Sequence, residues 1–395
     1  PGPPMPRSQP APSTAVVAAA CLLLVVHGLG RFIYTPLLPL LVADDQLTVA
    51  QAADLASWNY VGYLLGALAA IRWHSPQQLR IAIPAALGLH CLTLLGLTQS
   101  NEYASLLAMR LLNGVSNGMI FVMVPALLME WLAARQRLAL SGLAYLGVGC
   151  GLVLSGVLAN PPALDLHAAT RWWPAALLSL PLAVWGAWIL SGMALPPEHQ
   201  QQTIAKRPLF DRHSRPLFLA YAGAGLGYIL PMTFLPLIAS LQLGSQHPLV
   251  SQSWLILAFA TLPSAWVWNK LGQLMGDRNA LISNYAIQGI SVFAALLLPS
   301  AIGLPLCALL MGSSFLGAVL LTQRLGRSLQ PNQGPRLSAA LIALYGLTQL
   351  LAPWFARLWL DMGGQLPDTL WLGAIALVWS LLWMLTVREP SSASR

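Results

Sequence analysis

Charge is what this sequence has least of. Only 8% of its 395 residues are charged, twelve of them acidic, and lysine occurs twice, as Lys206 and Lys270. A soluble domain has about a quarter of its residues charged, so this chain cannot clothe a water-facing surface. Cysteine is sparse too. Cys21, Cys91, Cys150 and Cys307 lie in four different apolar runs without a C-x-x-C pair, which supports neither a disulfide framework nor a zinc site. No Walker A sequence is present, which removes the usual phosphate cradle of an ATP-driven machine. The net charge of +8 is scattered between apolar runs with no basic stripe or interleaved aromatics, so no nucleic-acid partner is expected. The acids are dispersed, whereas an intramembrane enzyme would cluster acids or His/Glu ligands on one face. An enzyme is therefore a remote alternative, and neither cofactor nor metal is expected.

What the sequence has in excess is apolar length: 57% hydrophobic residues and a mean hydropathy of +0.66. Apolar runs fall at 15–42, 50–71, 79–98, 104–129, 138–160 and 172–192, then at 216–241, 250–271, 280–299, 301–322, 337–359 and 370–387. Each is near the roughly 20 residues that cross a bilayer as a helix. Backbone in lipid must bond internally, so the runs are expected to be helices; the short alternating segments of a barrel are missing. The predicted fold is an all-α integral membrane protein of twelve transmembrane helices. Its expected parts are an N-terminal tail (1–13), a six-helix bundle (14–192), a polar linker (193–215), a second six-helix bundle (216–387) and a C-terminal tail (388–395).

Basic residues set the orientation. With the N-terminus inside, sixteen of the twenty fall on the cytoplasmic side, Arg171 and Arg357 fall outside, and Arg31 and Arg110 sit within spans. The two halves repeat. Gly28-Leu29-Gly30 and Pro39-Leu40 in span 1 match Gly225-Leu226-Gly227 and Pro236-Leu237 in span 7; Ser57-Trp58 matches Ser253-Trp254, and Arg137-Leu138 matches Arg336-Leu337, all at offsets of 196 to 199. Six spans is an even number, so the second copy enters the membrane the same way round, and the repeats are parallel.

Two parallel six-helix halves joined by a polar linker resemble the major facilitator superfamily. Arg110-Leu111-Leu112-Asn113-Gly114 is similar to its R-x-x-x-G motif, and Gly276-Asp277-Arg278 to a remnant of its G-x-x-x-D-R loop motif. The loop between spans 2 and 3, "GALAAIRWHS", lacks the aspartate. "GRFIYTPLLPLL" and "NYVGYLLGAL" resemble the bacterial YbfB/YjiJ-type branch. This resemblance implies a monomeric secondary transporter of the bacterial inner membrane, with cytoplasmic termini. It also implies a central cavity lined by spans 1, 4, 7 and 10, and a gating role for Gly276, Asp277 and Arg278.

An arginine at the bilayer centre costs about 2.5–3.5 kcal/mol on the lenient insertion scale, so Arg31 and Arg110 need a cavity, a partner or a ligand. On a helix His27, Arg31 and Tyr34 or Thr35 share one face, and Arg110, Asn113 and Asn117 form a second stripe. Pro36 and Pro39 remove helical N–H groups and predict a kink or unwinding in that half of span 1. The other half of the molecule offers neutral groups: Tyr228 (the repeat equivalent of Arg31), Thr233, Tyr345 and Gln349. Two guanidiniums without a deep carboxylate suit a small organic anion. The expectation is a water-filled pocket between the halves, with His27, Arg31, Tyr34, Arg110, Asn113, Asn117, Tyr228, Tyr345 and Gln349 as candidate contacts and His27 or Asp54 as candidate proton carriers. Alternatives stay open: Arg110 bonding to carbonyls of span 1, Arg31 pairing with an unwound carbonyl or with Asp54, His27 as a packing residue, and His90 at the periphery. Among substrates, amphipathic drugs or hydrophobic compounds are the rival. The glycines of Gly62-x-x-x-Gly66 and 147–151 fit close helix packing or a sliding interface between halves.

Overall fold

The computed structural model describes residues 9–73, 75–194, 208–330 and 334–388. Arg7, Lys206, Arg207, Arg395, Glu198 and Glu389, which enter the charge topology, lie outside the described residues. Twelve spans follow in order: α1 Pro12–Ala43, α2 Val49–Ala70, α3 Pro76–Leu97, α4 Tyr103–Ala133, α5 Leu138–Ala159, α6 Ala168–Ser191, α7 Arg215–Leu243, α8 Leu249–Thr261 with Ser264–Met275, α9 Asp277–Leu297, α10 Ser300–Leu329, α11 Gly334–Asp361 and α12 Leu366–Thr386. Ten are long and apolar enough to cross a membrane alone, and α8 is an eleventh, bent by 45° at its break. The twelfth, α2, is less apolar because Gln51, Asp54, Ser57, Asn59, Tyr60 and Tyr63 fall within it. It packs against α4 and α11, and Ser57, Asn59, Tyr60 and Tyr63 are buried.

The starts of α2 and α3 are written locally. Thr48 with Gln51, and Ser75 with Gln78, form capping boxes in which hydroxyl and amide satisfy the first free N–H groups reciprocally. Helix pairing depends on glycine where backbones nearly touch. A Cβ at Gly62 would lie 2.1 Å from the Leu111 carbonyl oxygen, and one at Gly114 would lie 2.1 Å from that of Asn59. This seam joins α2 and α4 within one half, so Gly62 is not part of a sliding surface between halves.

Span α1 departs from the expected shape. It is π-helical over Leu24–Phe32, with Ile33 N–H bonding the Gly28 carbonyl at 2.9 Å, and resumes as α-helix from Tyr34 to Ala43 through both prolines. The irregularity lies before the prolines rather than after them. Gly28 and Gly30 give it room: a Cβ at Gly28 would lie 2.4 Å from Gly151 Cα of α5.

The halves meet along α1–α7, α2–α11 and α5–α8. Thr35 Oγ1 donates to the Met232 carbonyl at 2.7 Å and Ser57 Oγ to that of Leu350 at 2.8 Å. Tyr60 and Thr233 share a 2.7 Å hydroxyl bond, and Trp254 Nε1 donates to Ser155 Oγ at 2.9 Å. Arg357 faces Asp54 at 3.8 Å, and Tyr103 donates to the same carboxylate. On the charge-derived orientation, all of these lie from mid-depth to the outer surface.

Also on that surface, Asp44 ties the end of α1 to the start of α6. It accepts from Arg171 Nε at 2.5 Å and Nη2 at 3.0 Å, and from Ala168 N–H at 2.7 Å. Burial pushes its carboxyl up, but the hydrogen bonds from Arg171 and Ala168 outweigh this and hold it below its ordinary value. A depressed folded-state pKa stabilises above the unfolded value and is lost as pH falls through the folded one, here below about pH 4. In thermal unfolding of detergent-purified protein, Asp44→Asn should unfold at lower temperature than wild type at pH 7, with the gap closing towards pH 3. In the same assay Gly114→Leu should destabilise by about 1–3 kcal/mol or more through overpacking. Gly142→Leu should not, because a Cβ there meets nothing within 4 Å.

Candidate functional site

At mid-depth the π-helical part of α1 turns Arg31 towards the second half. Arg31 is 2% exposed, and its guanidinium donates through Nη2 to Gln349 Oε1 of α11. Three ring faces surround it: Phe32 at 5.0 Å, Tyr60 at 4.5 Å and Tyr63 at 4.6 Å. Its Nε is buried without a hydrogen-bond partner, and among the described residues no carboxylate pairs with it. Each cation–π contact is worth about 0.5–2 kcal/mol and a hydrogen bond to a charged group about 1.5–3 kcal/mol. Together these offset much of the cost of burying the charge, and leave it without a counter-ion.

Gln349 links this cation to the opposite half. Its Nε2 donates to Tyr228 OH of α7 at 2.7 Å. Tyr228 belongs to a row of nearly parallel rings: Tyr221 to Tyr345 at 4.3 Å, Tyr345 to Tyr228 at 5.1 Å, and Tyr228 to Phe315 at 5.8 Å, with interplanar angles of 8–9°. His27, one turn before Arg31, contacts Asn117 Oδ1 through Nδ1 at 3.3 Å and stacks on Phe121 at 4.4 Å. Phe32 and Tyr63 meet its ring edge-on, so histidine and arginine share two aromatic neighbours.

Of the candidate residues, the structure therefore brings together Arg31, Gln349, Tyr228 and Tyr345, with His27 and Asn117 alongside. Others are placed elsewhere. Arg110 is 1% exposed and donates through Nη1 to the Gly30 carbonyl at 2.8 Å, with its guanidinium over Tyr34 at 4.4 Å and Trp172 at 5.7 Å. It packs within the first half instead of facing Arg31 across a cavity. Tyr34 follows it, its hydroxyl donating to the Ala52 carbonyl at 2.7 Å. Asn113 turns to α3, donating to Thr93 Oγ1 at 3.1 Å. The stripe on α4 splits because that helix is flanked by α1, α2 and α3. Asp54 is held by Tyr103 and Arg357 near the outer end, so it neither pairs with Arg31 nor sits beside the central cluster. His90 is fully buried rather than peripheral: a Cβ at Gly30 would lie 2.1 Å from its ring, and Ser116 Oγ bonds its Nδ1 at 2.9 Å. The expected water-filled pocket at the arginines is closed here, with both guanidiniums buried.

At the predicted cytoplasmic end, Asp277 pairs with Arg324 of α10 at 3.0 Å, and Arg278 donates to the Val387 and Leu385 carbonyls at the end of α12, at 2.6 and 2.9 Å. Gly276 takes φ 84°, a left-handed conformation suited to glycine, between α8 and α9. Tyr60, Tyr63, Tyr221 and Phe315 belong to the central cluster without having been singled out in the sequence. Their signal is spacing: Tyr60 and Tyr63 are three apart on α2, and Tyr221 and Tyr228 seven apart on α7.

Two parallel six-helix repeats meeting at a buried polar cluster define a transporter of the major facilitator type. The chain belongs to the family described as "Uncharacterised MFS-type transporter YbfB", which matches residues 23–385. Solved structures agree on the fold. The inward-open xylose transporter XylE from E. coli is 13% identical at a TM-score of 0.76, covering 97% of this chain and 98% of that one. A D-xylose–proton symporter is 13% identical at 0.72, covering 95% and 98%. A point mutant of the nucleoside transporter NupG is 12% identical at 0.67, covering 94% and 98%. No curated protein sequence matches this chain.

The two arginines should respond differently to substitution. Arg110→Gln removes a charged hydrogen bond and two ring contacts and should lower stability by about 1.5–3 kcal/mol. Arg31→Gln loses a bond to the Gln349 side-chain amide, which can pair again with the new glutamine, whereas Arg110→Gln strands the buried backbone carbonyl of Gly30; Arg31→Gln should therefore lower the unfolding temperature less. Differential scanning fluorimetry of the purified variants checks this; equal losses would contradict it.

Proposed function

We propose that this membrane transporter carries a small organic anion by alternating access, with Arg31 as the anion-binding group. The observation that supports this is the partner of Arg31: a buried guanidinium bonded to a neutral amide of the opposite half, with no acid beside it among the described residues. At about 4 Å and an effective dielectric of 20, an anionic ligand would gain roughly 4 kcal/mol from that charge. A cation would be repelled by as much, which counts against hydrophobic cations as cargo.

The same bond offers a coupling step. An anion at Arg31 displaces Gln349 Oε1 and so removes a tie between the halves. A hydrogen bond of about 1.5–3 kcal/mol corresponds to a roughly 10- to 100-fold change in the balance between two states. Binding would thereby loosen an interface that the outer contacts otherwise hold closed. Proton coupling, if the transporter uses it, falls to His27. It is an imidazole one turn from Arg31 and in contact with Asn117, whereas Asp54 is engaged at the outer rim.

The test is uptake into proteoliposomes with panels of organic anions and cationic dyes. Wild type should transport anions, and Arg31→Gln should lower that transport at least about tenfold. Transport of cationic dyes, unchanged in Arg31→Gln, would overturn the anion reading in favour of efflux of amphipathic compounds. His27→Gln should abolish accumulation driven by a pH gradient while leaving anion counterflow intact.

A further inference from the structure

The Gln349 side chain stands where a carboxylate would stand. Its planar amide lies between two groups able to donate, the Arg31 guanidinium on its oxygen side and the Tyr228 hydroxyl on its nitrogen side at 2.7 Å. Replacing O–C–N by O–C–O keeps the plane and size. It lets Arg31 donate to one oxygen and Tyr228, whose hydroxyl proton rotates freely, to the other.

The surroundings then limit charge and shape. A second negative charge would find no second cation at the Gln349 amide among the described residues, because Arg110 is turned to the Gly30 carbonyl, Tyr34 and Trp172 within the first half. The neighbouring side chains are aromatic. Phe32, Tyr60 and Tyr63 lie on the Arg31 side, and Tyr221, Tyr345 and Tyr228 stand parallel on the other. An aromatic surrounding favours an aromatic body over a saturated one, since ring–ring contacts add to simple burial.

We infer that the transported solute is an aromatic monocarboxylate whose carboxylate takes the place the Gln349 amide holds between Arg31 and Tyr228. This rests on the anion reading above and narrows it.

The experiment measures binding to purified full-length protein by competition and calorimetry, using benzoate, phenylacetate, cyclohexanecarboxylate, terephthalate and benzamide. Benzoate or phenylacetate should bind about 3- to 10-fold tighter than cyclohexanecarboxylate, with terephthalate and benzamide at least tenfold weaker. Gln349→Ala, which vacates the place, should tighten carboxylate binding. Gln349→Glu, which fills it with a carboxylate of the chain itself, should abolish binding while the protein stays folded and monodisperse. If cyclohexanecarboxylate matches benzoate, or terephthalate matches it, while binding still depends on Arg31, the aromatic monocarboxylate inference fails and the anion reading stands. If Gln349→Ala weakens carboxylate binding, the amide is a ligand contact and not a placeholder, and the inference fails likewise. If no carboxylate binds, or Arg31→Gln binds as wild type does, the anion reading itself falls.

Discussion

The structure turns on one buried positive charge. Arg31 sits at mid-depth in a chain with hardly any charge to spare, and its direct partner across the molecule is an amide. Low dielectric makes such a group costly unless its surroundings are polarisable and donor-hungry. Three ring faces and one carbonyl oxygen supply that. The result is tolerated but incomplete, with Nε left unbonded. A site of this kind is complementary to a negative solute in a way that a salt-bridged arginine would not be.

Around it the interface between halves is asymmetric in its chemistry, although the halves share sequence motifs. Ser57-Trp58 and Ser253-Trp254 match in sequence, yet they serve differently. In the first pair the serine crosses to Leu350, and Trp58 is 40% exposed. In the second the buried tryptophan crosses to Leu152 and Ser155. The two lines of contact, α2 against α11 and α5 against α8, therefore resist opening through unlike bonds. Arg357 with Asp54 and Tyr103 adds a charged link at the outer rim, where partial exposure keeps an ion pair inexpensive to make and break.

The two arginines that look alike in sequence divide the labour. Arg110 is consumed by the fold, holding the carbonyl of Gly30 in the turn that presents Arg31. That carbonyl lies in a π-helical segment, and such segments widen a helix and redirect the side chains on it. One guanidinium thus shapes the backbone from which the other projects. Gly28 and Gly30 make this possible by letting α5 and the His90 ring approach where any side chain would collide.

Much of this was legible in the sequence, because a bilayer makes local composition decisive. Runs of apolar residues must become helices, and basic residues bias orientation. A nearly constant offset between motifs marks two repeats, and two prolines and a glycine pair mark an irregular first span. Arg31, Tyr228, Tyr345 and Gln349 could be noticed in the sequence because a charge, a phenol or an amide stands out in an apolar span. What the sequence could not give was azimuth. Whether Arg110, Asn113, Tyr34 or Asp54 turned inward depended on which helices flanked each one, and the aromatic cage of Tyr60, Tyr63 and Phe32 is assembled from two helices. The residues of each span followed from the need to satisfy backbone in lipid; their partners were decided only when backbones packed at the glycine seams, because contact across helices is a property of rotation and distance that no single stretch encodes.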